Sequence, residues 1–348
     1  MADLALAAVR KEYGDAVALE ELTLSVRDGE FFTLVGPSGC GKTTTLRLVA
    51  GLEEPTDGVV RLGGEDAAGV PPEDRDVGVV FQSYALFPHM TVRENIRYGL
   101  TFSDPPGGVT PDERVDELLD LVNLPGMGDR EPDELSGGQQ QRIALARALA
   151  PAPGVLLLDE PMSALDARLR EQLRRQVKQI QDELGVTTLY VTHDQEEALA
   201  VSDRLAVMHN GRAEQVGTPQ AIYESPETPF VAGFVGENNL FAGVVETRQN
   251  GRLVVAVDGA PAGEERVELE AAEGYTPGDR IQFCVRPDAL STDAALNRFT
   301  VDIESAEYLG GTARLYGEWA DEDVVLRLPE PEVEPVTVGF VPGDATLL

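Results

Sequence analysis

The octapeptide Gly36-Pro37-Ser38-Gly39-Cys40-Gly41-Lys42-Thr43 follows the apolar run Phe31–Val35 and leads into a helical pattern over Lys42–Ala50. Few folds accept such a passage. The spacing G-x-x-x-x-G-K-[ST], set between a strand and a helix, turns backbone N–H groups inward and places the positive end of the helix beside them. The expected ligand is a phosphate chain. Lys42 is expected to meet the β and γ phosphates, and Thr43 to offer its hydroxyl to Mg2+. Gly36, Pro37, Ser38, Gly39, Cys40, Gly41 and Thr44 complete the cradle.

Three more apolar or β-branched runs have the character of strands buried on both faces of a parallel sheet: residues 77–81, 155–158 and 188–192. Helical patterns lie between them, at residues 42–50, 114–122, 139–149 and 167–184. This alternation predicts an α/β fold. Each run ends in a polar residue suited to phosphate chemistry. Phe81 is followed by Gln82, Leu158 by Asp159 and Glu160, and Thr192 by His193. Parallel strands put their carboxyl ends on one edge, where ligands of open sheets bind, so these residues are expected to converge.

Their chemistry suggests roles. Asp159 carries a hard oxygen for Mg2+, which it is expected to reach through water. Glu160, one residue beyond, is placed to polarise an attacking water. Gln82 can reach metal or water, and His193 can donate to the γ phosphate. Paired acids at a strand end are often merely solvated and a lone histidine is usually structural. Four buried aliphatics before Asp159, and the strand-end place of His193, favour the functional reading. A second anion site is expected at Leu135-Ser136-Gly137-Gly138-Gln139, where Ser136 is a natural N-cap and Gly137 and Gly138 leave N–H groups bare.

This set, in this order, resembles the ATPase subunits of ATP-binding cassette (ABC) transporters over roughly residues 1–235. The resemblance implies ATP and Mg2+ as ligands and a head-to-tail homodimer. Ser136, Gly137, Gly138 and Gln139 of one subunit would then face the phosphate loop of the other. Tyr13 resembles the aromatic residue that stacks on adenine, although on sequence alone a tyrosine there is more often packing. Ser163-Ala164-Leu165-Asp166 resembles the segment lining the dimer junction. Residues 82–90 resemble the region that touches the membrane permease, and would otherwise read as a loop on a helical subdomain at about 88–150.

After residue 236 hairpin signals replace helical periodicity. Asn250-Gly251 separates two strand-like runs, and further runs lie at 281–285, 299–306, 312–319 and 324–328. Residues 236–348 are therefore expected to form a small all-β barrel, with the acidic, proline-rich stretch 329–335 as a solvated loop. Val285-Arg286-Pro287-Asp288 and residues 217–236 resemble importers with a C-terminal OB-like domain, which serve sugars, polyamines, ferric iron, sulfate or molybdate; the resemblance implies that the barrel is OB-like. Residues 237–241 look closer to the polyamine, iron and oxyanion side than to the sugar side. The implied partners are two integral-membrane permease subunits and, indirectly, an external solute-binding protein, at the cytoplasmic face of the membrane.

Composition excludes competing classes. Sixty-one acidic residues against 28 basic ones leave a net charge of −33, and only Lys11, Lys42 and Lys178 are lysines. Such a surface repels phosphate backbones, which argues against a nucleic-acid role. A non-transport ATPase of DNA repair or translation would also need long coiled coils or tandem cassettes. Dispersed acidity with few lysines suits concentrated salt and points to a halophile. No run of eighteen apolar residues exists, and residues 1–9 lack a basic start, so neither a membrane span nor a secretory leader is expected. Cys40 and Cys284 show no metal or disulfide spacing, which fits a reducing compartment.

Overall fold

The structure is a computed structural model that describes residues 3–101, 103–163, 165–271, 274–332 and 334–348. The chain forms two compact units, Met1–Pro219 and Gln220–Leu348.

The first unit holds two sheets. One is antiparallel: β1 (Leu4–Tyr13), β2 (Ala16–Val26), β4 (Asp57–Leu62) and β5 (Glu65–Asp66), in the order β2-β1-β4-β5. Its pattern is masked in the sequence because irregular register between Leu6 and Val9 interrupts the alternation of faces. Ala8 there has φ 47°, and a β-carbon on Gly58 would meet its carbonyl oxygen at 2.3 Å.

The second sheet carries the expected runs. Its strands are β3 (Phe31–Val35), β6 (Val77–Val80), β7 (Val155–Asp159), β8 (Thr187–Thr192), β9 (Arg204–His209) and β10 (Arg212–Gly217), in the order β10-β9-β3-β8-β7-β6. All pairs are parallel except β9 with β10. Every residue of β3 and β8 is buried, as two-sided covering of a parallel sheet requires. Val35 pairs with Thr192 and Val207, Leu158 with Tyr190 and Val80. That register brings Gly36, Phe81, Glu160 and His193 to one edge.

Helices α1 (Lys42–Ala50) and α5 (Ala167–Leu184) have the expected limits. α3 (Pro111–Leu121) begins before residue 114, because Thr110 caps it in a reciprocal box with Glu113. α4 (Gly137–Leu149) begins at the first glycine after its cap Ser136. α2 (Val92–Tyr98), α3 and α4 pack together over Ile96, Val115, Leu118, Ile143 and Leu149, forming the helical subdomain. α6 (Gln195–Val201) follows β8.

The second unit begins with two short helices, α7 (Pro219–Glu224) and α8 (Pro229–Phe234), so the compact units divide earlier than residue 235. The cause is a long-range pairing. The Arg286 guanidinium stacks 3.7 Å above the Tyr223 ring and donates to the Tyr223 carbonyl, tying α7 to the all-β unit. Two antiparallel sheets close around one core. The first orders β13 (Arg266–Glu270), β12 (Arg252–Val257), β11 (Asn239–Gln249), β14 (Arg280–Val285) and β19 (Ala345–Leu347). The second orders β17 (Glu322–Leu328), β16 (Ala313–Trp319), β15 (Phe299–Tyr308) and β18 (Val336–Val338).

Phe241, Phe283, Phe299 and Trp319 pack at the centre of this core. Asn250 and Gly251 both have positive φ, 53° and 76°, the turn that Asn-Gly favours between twisted strands. Asn239 is buried because its amide bonds both polar groups of the chain at Val325. The described residues of 329–335 are exposed; Val333 lies outside them.

Candidate functional site

The loop between β3 and α1 is shaped by glycine. A β-carbon on Gly36 would meet the Met208 carbonyl at 2.2 Å, and one on Gly41 would meet the Leu19 side chain at 2.5 Å. Gly41 also takes φ 104° as the N-cap of α1, and no side chain caps that helix. Its first N–H groups are thus left to a ligand. Ser38 and Gly39 are exposed at the rim.

Lys42 is buried within the loop. Its Nζ donates to the carbonyls of Gly36 at 2.7 Å and Pro37 at 2.9 Å, and lies 3.7 Å from Cys40 Sγ. It makes no ion pair among the described residues. A buried ammonium held only by neutral groups is uncompensated, and an anionic ligand would neutralise it. The cradle therefore fits phosphate.

Thr43 Oγ1 donates to Asp159 Oδ1 at 3.1 Å, across from α1 to the end of β7. Burial pushes the Asp159 carboxyl above its ordinary value, and the Thr43 bond offsets part of that rise. The Thr43 hydroxyl and the Asp159 carboxylate thus stand side by side, a pair of hard oxygens that would suit Mg2+. No cluster of three or more His, Cys, Asp or Glu able to hold a metal exists among the described residues. Mg2+ here would need oxygens from the nucleotide and water.

Glu160 is held in the left-handed region at φ 42°, with its N–H bonded to Val191 O at 3.0 Å. Such strain is concentrated at functional sites, where surrounding structure enforces it. Its Oε2 lies 3.1 Å from His193 Nδ1. Gln82 Nε2 donates to Ser163 Oγ at 3.2 Å, and that hydroxyl donates to the Glu160 carbonyl at 3.0 Å. Gln82, Asp159, Glu160 and His193 thus converge with Lys42 and Thr43 at one sheet edge.

Other candidates stand elsewhere. Ser136 and Gln139 cap α4 reciprocally: the Gln139 N–H donates to Ser136 Oγ and the Ser136 N–H to Gln139 Oε1. Gly137 is exposed, while Gly138 packs against Leu169. Among the described residues no hydrogen bond or ion pair joins this segment to the glycine-rich loop of the same chain. Asp166 caps α5 through the Leu169 N–H. Ala164 of the expected junction segment lies outside the described residues. Tyr13, at the end of β1, is half exposed, and its hydroxyl donates to Glu53.

Side chains that local patterning does not reveal brace the site. Glu197 is buried and accepts from Tyr190 and Thr192 at 2.7 and 2.9 Å, while Arg170 pairs with it and with Asp194. Arg147 donates to the carbonyls of Tyr84 and Ala85, and Asn95 bonds both backbone groups of Phe87. Nothing local marked Arg147.

A family model described as ABC transporter matches residues 19–163, and one described as TOBE domain matches residues 283–348. The chain is 49% identical over 325 residues to the spermidine/putrescine import ATP-binding protein PotA of Rubrobacter xylanophilus, covering 92% of this chain and 82% of that protein. It is 49% identical over 355 residues to the corresponding PotA 1 of Pseudomonas aeruginosa, covering 99% and 94%. Among solved structures it resembles a dimeric bacterial ABC transporter cassette, at TM-score 0.56 and 33% identity over 62% of this chain and 98% of that one. A dimeric cassette in a post-hydrolysis state with ADP and Pi matches at TM-score 0.55 and 32% identity, with the same coverage. No helix among the described residues is long and apolar enough to cross a membrane.

Proposed function

The chain belongs to the ATP-binding subunits of ABC transporters, and on that premise we propose that it hydrolyses ATP to drive polyamine import through an integral-membrane permease. The observation that carries the reading is the convergence of Lys42, the Thr43–Asp159 pair, the Glu160–His193 pair and Gln82 at one sheet edge. The relatives named for spermidine and putrescine import, matched over 82% and 94% of their length, favour polyamines over sugars, ferric iron or oxyanions, and favour transport over a soluble ATPase role.

The residues divide the work as follows. Lys42 and the bare N–H groups of α1 hold the β and γ phosphates; Tyr13 stacks on the base. Thr43, Asp159 and Gln82 hold Mg2+, which when bound screens the phosphate charge. Glu160 polarises the attacking water, and His193 donates to the γ phosphate while keeping Glu160 in place. Ser136, Gly137, Gly138 and Gln139 act on the nucleotide of a second subunit. Two things support this reading: their separation from the loop of their own chain, and the dimeric state of similar cassettes. ATP then bridges two subunits, and hydrolysis releases them.

Residues 1–235 carry the nucleotide chemistry and residues 236–348 hold a regulator or support dimerisation. A groove of about 580 Å³, lined by His89, Met90, Arg97, Tyr98 and Leu100, adjoins the Gln82 loop and suits a permease segment. The subunit sits on the cytoplasmic membrane face with two permease subunits, meets the external solute-binding protein only indirectly, and binds no nucleic acid. Its acidic, lysine-poor surface suits work in concentrated salt.

Reconstitution with its permease in vesicles tests this. ATP-dependent uptake of labelled spermidine or putrescine is expected. Uptake of a sugar or oxyanion with none of polyamine would refute the substrate, and ATP turnover indifferent to any permease would refute the transport role.

A further inference from the structure

Tyr13 is braced by a small ionic cluster that no part of the reading above uses. Its hydroxyl donates to Glu53, which lies just beyond the C-terminus of α1. Lys11 stands two residues earlier on β1. Alternation along a strand returns it to the same face, and its Nζ lies over the Tyr13 ring, 5.0 Å from the centroid. That ammonium is itself pinned. It donates to the Glu54 carbonyl at 2.8 Å and lies 3.3 Å from Glu53 Oε2. The other carboxylate oxygen of Glu53 is 3.5 Å from Arg47 Nη1, on α1. Lys11 and Glu53 are largely covered, with side chains 14% and 18% exposed, whereas Tyr13 remains 47% exposed.

We propose that Glu53 and Lys11 are positioning residues that hold the Tyr13 ring with one face closed and the other open to a purine base. The inference rests on the reading of Tyr13 as the base-stacking residue. A tyrosine at a strand end on the surface would otherwise sample several rotamers, and ordering it would cost affinity. Here the hydroxyl is tethered at one end of the ring and a fixed cation covers one face, so a base can stack only from the other side. Glu53 also registers the ring against α1, the helix whose first residues are Lys42 and Thr43. Glu53, together with a hydrogen bond between Tyr13 and Thr44 on α1, thereby helps to set the distance from base to phosphates. The negative charge this places near a polyphosphate is flanked by two cations, Lys11 and Arg47.

The test compares affinities of the full chain for a non-hydrolysable ATP analogue and for inorganic triphosphate, which has no base. Glu53→Gln and Lys11→Met are each expected to weaken the analogue about fivefold and triphosphate less than about twofold, a loss at the lower edge of the range for base stacking. Both effects should vanish in a Tyr13→Ala background. Thermal melts confirm that each variant is folded. Equal weakening of both ligands would assign the cluster to the phosphate loop or to general charge, and would overturn the proposal. So would an effect that persists without the Tyr13 ring. If Tyr13→Ala leaves the ratio of the two affinities where it was, the stacking role fails and the positioning role with it. If Tyr13→Ala weakens the analogue alone and neither Glu53→Gln nor Lys11→Met does, only the positioning role fails.

Discussion

His193 Nδ1 lies 3.1 Å from Oε2 of Glu160, and the two residues close adjacent parallel strands. Neither position is free to drift. Glu160 is locked at φ 42° by its bond to Val191, the residue two before His193. His193 is followed by Asp194, whose carboxylate caps α6 and pairs with Arg170. The pair is thus set by the sheet on one side and by two helices on the other.

Glu160→Gln keeps the shape of this arrangement and removes the carboxylate proposed to polarise water. Turnover is expected to fall about a hundredfold to ten-thousandfold while nucleotide binding persists. With hydrolysis blocked, ATP should trap a dimer visible by size-exclusion chromatography. Turnover at the parent rate would remove Glu160 from its assigned role.

Arg147 holds the loop that carries Gln82. It donates to two successive carbonyls, of Tyr84 and Ala85, and both residues take positive φ, 61° and 47°. Arg147→Ala should cost about 2–3 kcal/mol, the usual worth of charged hydrogen bonds, read by urea unfolding. Hydrogen exchange at residues 82–90 should rise, since the strained turn loses its clamp. Unchanged exchange there would show that Asn95 alone suffices.

Cys40 offers a pH test. Burial pushes its thiol above the ordinary value, and the nearby Lys42 ammonium offsets part of the shift. A raised value means less thiolate at neutral pH, so alkylation should be slow at pH 7 and accelerate as pH rises past the ordinary thiol range. ATP should protect further, because it covers the loop. Labelling followed by mass spectrometry, with Cys284 as internal comparison, reads both effects.

Salt should stabilise the fold. The net charge of −33 repels itself over a screening length of about 10 Å at 0.1 M salt, which shrinks to about 3 Å at 1 M. The melting temperature is expected to climb through that range. A flat or falling curve would contradict adaptation to concentrated salt.

Local chemistry was legible in the sequence wherever backbone geometry depends on neighbours in the chain. The limits of α1 and α5, the cap at Ser136 and the Asn250-Gly251 turn all follow from residues within a few positions. The bulged β1 was not legible, because one irregular residue reverses the face of all that follow. The division of the compact units at residue 219 was not legible for a different reason. Residues 219–234 look like an extension of the α/β pattern, yet Arg286 claims Tyr223 from 63 residues away.

By itself, then, the sequence determined the strand–loop–helix that cradles phosphate and the polar residue that ends each buried strand. Both are short-range consequences of glycine conformation and strand periodicity. Which side chains pair across the fold was left to packing between distant segments. In a chain with 61 carboxylates, nothing local says that Glu53 meets Tyr13 or that Glu197 meets Tyr190 and Arg170. Such pairs form where packing brings distant segments together, and the cost of burying a charge then selects which carboxylate finds a partner.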